Sequence, residues 1–119
     1  MKSFSSNLGT IKTALINSLE TNQAAAIYHY QRPSRENLKR YVVWAEGGEN
    51  NSQIVNNHKA QQQLTGTIDL YTNIEFDEWA DRIQTQLDAA EGVTWALDSV
   101  QYEDDTGLLH YEWAWEALV

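Results

Sequence analysis

The last quarter of the chain carries a two-residue alternation that predicts a β-hairpin. Between Leu109 and Ala117 every second residue is apolar, and the residues between them are mostly polar. A polar turn ending in Gly107, which tolerates positive φ, separates this stretch from a second β-rich stretch at residues 93–102. A hairpin with one apolar face is not stable alone in water. The rest of the chain must therefore cover that face.

Three more strands and two helices are predicted upstream of the hairpin. The strands are at residues 24–30, 40–46 and 61–71, where β-favouring or alternating residues occur. Apolar residues at helical spacing predict one helix over residues 8–19 and another over about residues 75–90, ended by Gly92. The sequence Thr72-Asn73-Ile74-Glu75 has the form of a capping box, which places the start of the second helix there.

These elements predict one α+β domain over residues 1–119, in the order α-β-β-β-α-β-β. The expected architecture is an antiparallel sheet with both helices packed on one face. No linker, repeat or low-complexity tract divides the 119 residues. Residues 47–57 are polar and rich in turn-forming residues, so we predict a mobile loop there with no part in the core.

The composition argues against several kinds of functional site. Cysteine is absent, which excludes disulfides, thiolate metal sites and cysteine nucleophiles. The three histidines have no His or Cys partner at a ligand spacing, and no phosphate-binding loop occurs. Glutamates that alternate with apolar residues are typical of the solvated face of a strand. We therefore predict no metal, no cofactor and no enzymatic activity.

Charge is distributed unevenly along the chain. The net charge is −9, yet residues 1–64 hold seven basic and four acidic residues, whereas residues 65–119 hold one basic and 13 acidic residues. An acidic half of this kind does not favour nucleic acid, so no sequence-specific nucleic-acid binding is expected. Two interpretations stay open: a solvated acidic surface, or head-to-tail self-association of unlike halves. No apolar run approaches the length of a membrane span, and a soluble cytoplasmic protein is expected.

Several strand motifs between residues 40 and 117 resemble those of a known group of phage proteins. They are Tyr41-Val42-Val43-Trp44, Asn57-His58-Lys59-Ala60, the stretch from Leu64 to Thr72, Val93-Thr94-Trp95, the stretch from Ser99 to Glu103, and the stretch from Thr106 to Trp113. The chain resembles the small tail-terminator or tail-completion proteins of siphophages and prophages of Gram-positive bacteria, a group that includes head–tail joining, minor tail and minor capsid proteins.

The resemblance implies a protein that self-associates into a ring, commonly a hexamer, on the end of the tail tube. Its implied partners are the tail tube protein and the head–tail connector, and it brings no catalytic residue. The protein would be found in the bacterial host cytoplasm during assembly and then at the head-proximal end of the virion tail. In this group the polar stretch at residues 47–57 would be an assembly or tube-contact loop.

The candidate interaction residues fall into three groups: basic side chains, the polar loop and an acidic turn. They are Arg35, Lys39, Arg40 and Lys59; Gly47, Gly48, Glu49, Asn50 and Asn51; and Asp104 and Asp105. Two alternatives to a tail terminator remain. One is a head-side completion or minor capsid protein that contacts the connector, and the other is a small acidic monomer that binds or inhibits a basic partner.

Overall fold

The computed structural model describes residues 4–18, 26–31, 37–49, 53–55 and 58–118. Within these ranges the chain forms two helices and seven strands. They are α1 (Phe4–Ser18), β1 (Ile27–His29), β2 (Arg40–Glu49), β3 (Gln53–Val55), β4 (His58–Gln61), β5 (Gln63–Thr72), α2 (Glu78–Ala89), β6 (Val93–Glu103) and β7 (Leu108–Leu118). None of the helices in the described part of the chain is long and apolar enough to cross a membrane.

Five strands form one mixed sheet in the order β1-β2-β5-β7-β6. The pairs β2–β5, β5–β7 and β6–β7 are antiparallel, whereas β1 pairs with β2 in parallel, with Tyr28 opposite Val43. The predicted single α+β domain with two helices is confirmed. The parallel pair is the one departure from the antiparallel sheet, because a pattern of apolar and polar residues indicates the faces of a strand but not its direction.

The core lies between the two helices and one face of the sheet. Alternate residues of β5 are buried, and they sit opposite Trp113 and Trp115 of β7. The helices cover this face with Ile11 and Leu15 from α1 and with Trp79, Ile83 and Leu87 from α2. Each large apolar side chain buried in this way contributes about 1.5–3 kcal/mol, so the central strands and both helices stabilise one another.

The start of α2 differs from the capping box that the sequence suggests. Thr72 is the last residue of β5, paired with Arg40 and Leu109, and the helix begins at Glu78. Asp77 is the N-cap, and its side chain accepts a hydrogen bond from the amide of Trp79. The predicted start at Thr72 is therefore wrong, because the sheet ladder uses Thr72 and an aspartate five residues later caps the helix.

The segment predicted as a loop at residues 47–57 contains strand structure. Strand β2 continues to Glu49, with a register shift against β5 between Glu46 and Gly48. Strands β3 and β4 then pair as a small antiparallel sheet of their own. Residues 50–52 and 56–57 lie outside the described residues. The predicted mobility of this segment stays a prediction.

Candidate functional site

Strand β6 forms one edge of the sheet and carries an exposed row of apolar side chains. Leu97, Val100 and Tyr102 are 44%, 48% and 62% exposed. They pair with β7 residues of the core face, since Leu97 lies opposite the buried Trp113. We call these three residues the β6 strip. A long edge strand with apolar side chains is a common place for another chain to bind.

A second exposed apolar feature precedes α2. Phe76 is 88% exposed and has a φ of 56°, which is unusual for a residue with a side chain. The residues on either side of its loop, Thr72 and Asp77, are buried and hydrogen-bonded to each other through Thr72 Oγ1 and Asp77 Oδ2 at 2.6 Å. The fold therefore holds Phe76 in an unfavourable backbone conformation with its ring in solvent. This combination points to a role in function.

A groove of about 470 Å³ lies between α1 and the C-terminal end of α2. Small side chains line it because α1 presents one face of glycine, serine and threonine there. The lining residues are Ser6, Gly9, Thr10, Thr13, Ala14, Asn17, Gln86, Ala89 and Ala90. Phe76 and the groove are at opposite ends of α2, a 12-residue helix about 18 Å long.

Arg40, one of the predicted interaction residues, is engaged within the chain. Its Nε and Nη2 atoms donate to the two carboxylate oxygens of Asp77 at 3.0 and 2.5 Å. The guanidinium carbon also lies 3.9 Å from the centre of the Trp79 ring. The Asp77 side chain is fully buried. Arg40 thus secures the start of α2 against β2, while Lys39 beside it is exposed.

The same contacts set the ionisation of Asp77. Burial alone would raise the pKa of its carboxyl group, but hydrogen bonds from Arg40, Thr72 and the Trp79 amide outweigh burial and hold the pKa below its ordinary value. Asp77 is therefore charged at neutral pH, and its charge is neutralised inside the fold.

The remaining predicted interaction residues do not form one patch. Lys39 and the exposed turn with Asp104 and Asp105 are at the same end of the sheet, since Arg40, Thr72, Leu109 and Tyr102 are in register across the strands. The exposed end of β2, which carries Gly47, Gly48 and Glu49, lies at the opposite end. The backbone of Lys59 belongs to β4. Arg35, Asn50 and Asn51 lie outside the described residues.

A cluster that the sequence did not predict lies on the sheet face opposite the helices. His110 Nε2 is 2.7 Å from Asp69 Oδ1, and His110 Nδ1 is 3.7 Å from Glu103 Oε2. Glu112 is directly opposite Asp69 in the β5–β7 pair. Ligand atoms of Asp69, His110 and Glu112 all lie within 4.8 Å of one another. Ligand spacing along the sequence does not reveal this cluster, because Asp69 and His110 are 41 positions apart.

The aromatic neighbours of this cluster hold His110 in place. The ring of Tyr71 stacks on His110 with centroids 4.2 Å apart, and Tyr41 stacks on the other side of Tyr71 at 4.8 Å. Burial, followed by the negative charge of Asp69, raises the pKa of Tyr71 to about 12. Tyr71 therefore stays neutral at physiological pH and acts as a stacking platform.

Comparison with known proteins shows similarity at the level of the fold. No protein-family model matches the chain, and no curated protein matches it. Among solved structures, a chain of the "Virion of native gene transfer agent (GTA) particle" matches with a TM-score of 0.54 and 14% sequence identity, covering 98% of both chains. At this identity the similarity shows that the two chains share a fold over almost their whole length.

Proposed function

We propose that this protein is a non-enzymatic structural component of a phage-like virion. The observation that carries the proposal is the fold shared with a chain of a gene transfer agent virion, which extends over 98% of each chain. The strand motifs that resemble those of phage tail proteins also support it, because they are a property of the sequence and not of the fold comparison. A protein of this kind acts through its surfaces, so its exposed side chains and its groove are the candidates for contacts with other virion proteins.

Within the virion, we infer a ring that terminates the tail tube and joins the tail to the head. The resemblance to tail-terminator proteins favours this position and a hexamer. Net charge supports it as well: a ring whose copies each carry a net charge of −9 would repel DNA that passes through it rather than retain it.

We further propose that neighbouring copies in the ring contact each other through Phe76 and the groove between α1 and α2. The groove, at about 470 Å³, is large enough for a phenylalanine ring, and its small side chains leave the space open. In this arrangement Phe76, at one end of α2, binds the groove at the other end of α2 in the next copy. A head-to-tail contact of this kind generates rings. Lys39 and the acidic turn supply charge at the same end of the molecule as Phe76.

The first test is the solution mass by light scattering coupled to gel filtration. We expect a closed oligomer, and we expect Phe76→Ser to shift it to monomer because the aromatic anchor is lost. Gly9→Leu should have the same effect, since a side chain at Gly9 enters open space and would fill the groove. Repeating the measurement at high salt reports the contribution of charge, which salt screens.

Val100→Thr is the matched control, because it removes an exposed apolar side chain from the β6 strip without touching the groove. Dissociation by Val100→Thr with no effect of Phe76→Ser would place the interface on β6 and contradict the proposed contact. A monomer at every concentration would favour the small acidic binding protein. Binding to purified tube and connector proteins separates a tail terminator from a head-side completion protein. Selective binding to the connector identifies the head-side completion protein.

A further inference from the structure

We propose that Asp69, His110 and Glu112 bind a divalent cation of the zinc type on the open face of the sheet. The ligands would be Nε2 of His110 and one oxygen from each carboxylate. These three side chains come from the two central strands β5 and β7, so their backbones are held by ten consecutive paired positions. Sites built on paired strands keep their geometry better than sites on loops.

The distances fit a shared cation. One nitrogen of His110 and one oxygen of each carboxylate lie within 4.8 Å of one another, and Nε2 of His110 is 2.7 Å from Asp69 Oδ1. Zinc binds imidazole nitrogen and carboxylate oxygen at about 2.0–2.2 Å, which places neighbouring ligand atoms about 3–4 Å apart. The observed separations are within about 1–2 Å of those that a shared zinc ion requires.

The negatively charged carboxylates around His110 favour the binding of a cation. Asp69 and Glu112 are directly opposite each other on neighbouring strands, an arrangement of like charges that destabilises a sheet. Glu103 adds a third carboxylate near the same histidine. Among the side chains that the structure describes, which do not include those of residues 51–61, Asp69 forms an ion pair with His110 alone and Glu112 forms none. A bound divalent cation removes this repulsion.

The surroundings of His110 provide a second, independent reason. Metal-binding histidines commonly direct their other ring nitrogen at a carboxylate, which fixes the tautomer and the ring orientation. When Nε2 binds a cation, the ring proton is on Nδ1, and Nδ1 faces Glu103 at 3.7 Å. Stacking on Tyr71 fixes the plane of the same ring. Glu103 and Tyr71 thus fix the tautomer and the ring plane of His110 in the way expected of a metal ligand.

The donor set selects the kind of cation. One imidazole with two carboxylates suits zinc and neighbouring first-row metals better than magnesium or calcium, which prefer oxygen alone. Three protein ligands leave a tetrahedral position for water. His29, the other described histidine with a carboxylate partner, lies 2.7 Å from Glu46. The next polar group beside it is the hydroxyl group of Tyr30, which is hydrogen-bonded to the same carboxylate. That pair lacks the second carboxylate ligand.

Titration of the full chain, stripped with EDTA, with zinc chloride in a calorimeter tests the proposal. We expect one zinc ion per chain. Glu103→Gln should weaken binding by about 10- to 100-fold, as loss of an outer partner of a ligand does. His110→Ala and Glu112→Gln should weaken it further, because each removes a ligand. Circular dichroism checks that each variant is folded, and Glu112→Gln serves if His110→Ala does not fold.

Two matched controls separate a site from general attraction of zinc to an acidic protein. His29→Ala removes a second carboxylate-paired histidine, and Asp104→Asn removes one negative charge from the exposed turn. Both should leave zinc affinity unchanged within about twofold. Absence of stoichiometric zinc binding by the folded wild-type protein would overturn the proposal. A loss of affinity in Asp104→Asn equal to that in Glu112→Gln would also overturn it.

Discussion

Replacing Asp77 by alanine is expected to lower the free energy of unfolding by about 3–5 kcal/mol, the usual loss when one partner of a buried ion pair is removed. The carboxylate of Asp77 is fully buried and accepts hydrogen bonds from Arg40, Thr72 and the Trp79 amide. The variant leaves the Arg40 guanidinium without its partner and removes the N-cap of α2. Urea denaturation measures the change.

Asp81→Ala is the control, because Asp81 is an exposed aspartate in the first turn of the same helix. It should cost at most about 1 kcal/mol, the value of a favourable charge near a helix N-terminus. If Asp77→Ala and wild type unfolded at the same urea concentration, the buried pair would not stabilise the fold.

Asp77 also predicts how stability depends on pH. Because its pKa in the folded protein is below the unfolded value of about 3.9, its contribution is fully present above that pH. The contribution is lost as the pH falls through the folded pKa. Asp77→Asn lacks this ionisation, so its stability should fall less steeply than that of wild type below about pH 4. Parallel urea titrations between pH 3 and pH 7 would show the difference.

Replacing Gly66 by alanine is expected to be as disruptive, although it adds a single methyl group. A Cβ at this position would overlap both the six-membered ring of Trp115 and the carbonyl oxygen of Ala45. Neither can move easily: Ala45 belongs to the β2–β5 ladder, and the indole of Trp115 donates to the carbonyl of Thr67 at 3.2 Å. We expect a loss of about 3 kcal/mol or more, at the upper end for an overpacked core.

Thermal unfolding followed by circular dichroism tests this expectation, with a fall in Tm of about 10 °C or more. Gly9→Ala is the control, since nothing lies within 4 Å of a Cβ at Gly9 and alanine favours the interior of a helix by about 1 kcal/mol. The two variants add the same methyl group and should change stability in opposite directions. Equal stability of Gly66→Ala and wild type would show that Trp115 does not pack over this position.

Local periodicity in the sequence predicts the faces of most elements correctly. The alternation of apolar residues from Leu109 to Ala117 places Trp113 and Trp115 on one face, and both are buried. The helical spacing of Trp79, Ile83 and Leu87 likewise identifies the buried face of α2. These predictions hold because a side chain's face depends only on its own backbone geometry.

Partners across the sheet could not be predicted in this way. The charge of Arg40 suggests an interface, whereas its carboxylate partner within the chain, Asp77, lies 37 positions away. Asp69 and His110 come together only through the register of β5 and β7. The pattern of outward-facing residues in the two strands is compatible with this register but does not specify it. The sequence does not predict the exposure of Phe76, because a capping box at Thr72 places that residue inside the helix.

The two edges of the sheet differ greatly in length, and this limits how copies of the protein can join. Strand β6 has 11 residues, whereas β1 has three. Backbone pairing between β6 of one copy and β1 of another could involve only three positions, but two β6 strands match each other in full. Pairing of like strands relates the two copies by a two-fold axis and stops at a dimer. Side-chain contacts, such as the one proposed between Phe76 and the groove, are therefore expected to hold the copies of the proposed ring together, rather than backbone pairing between edge strands.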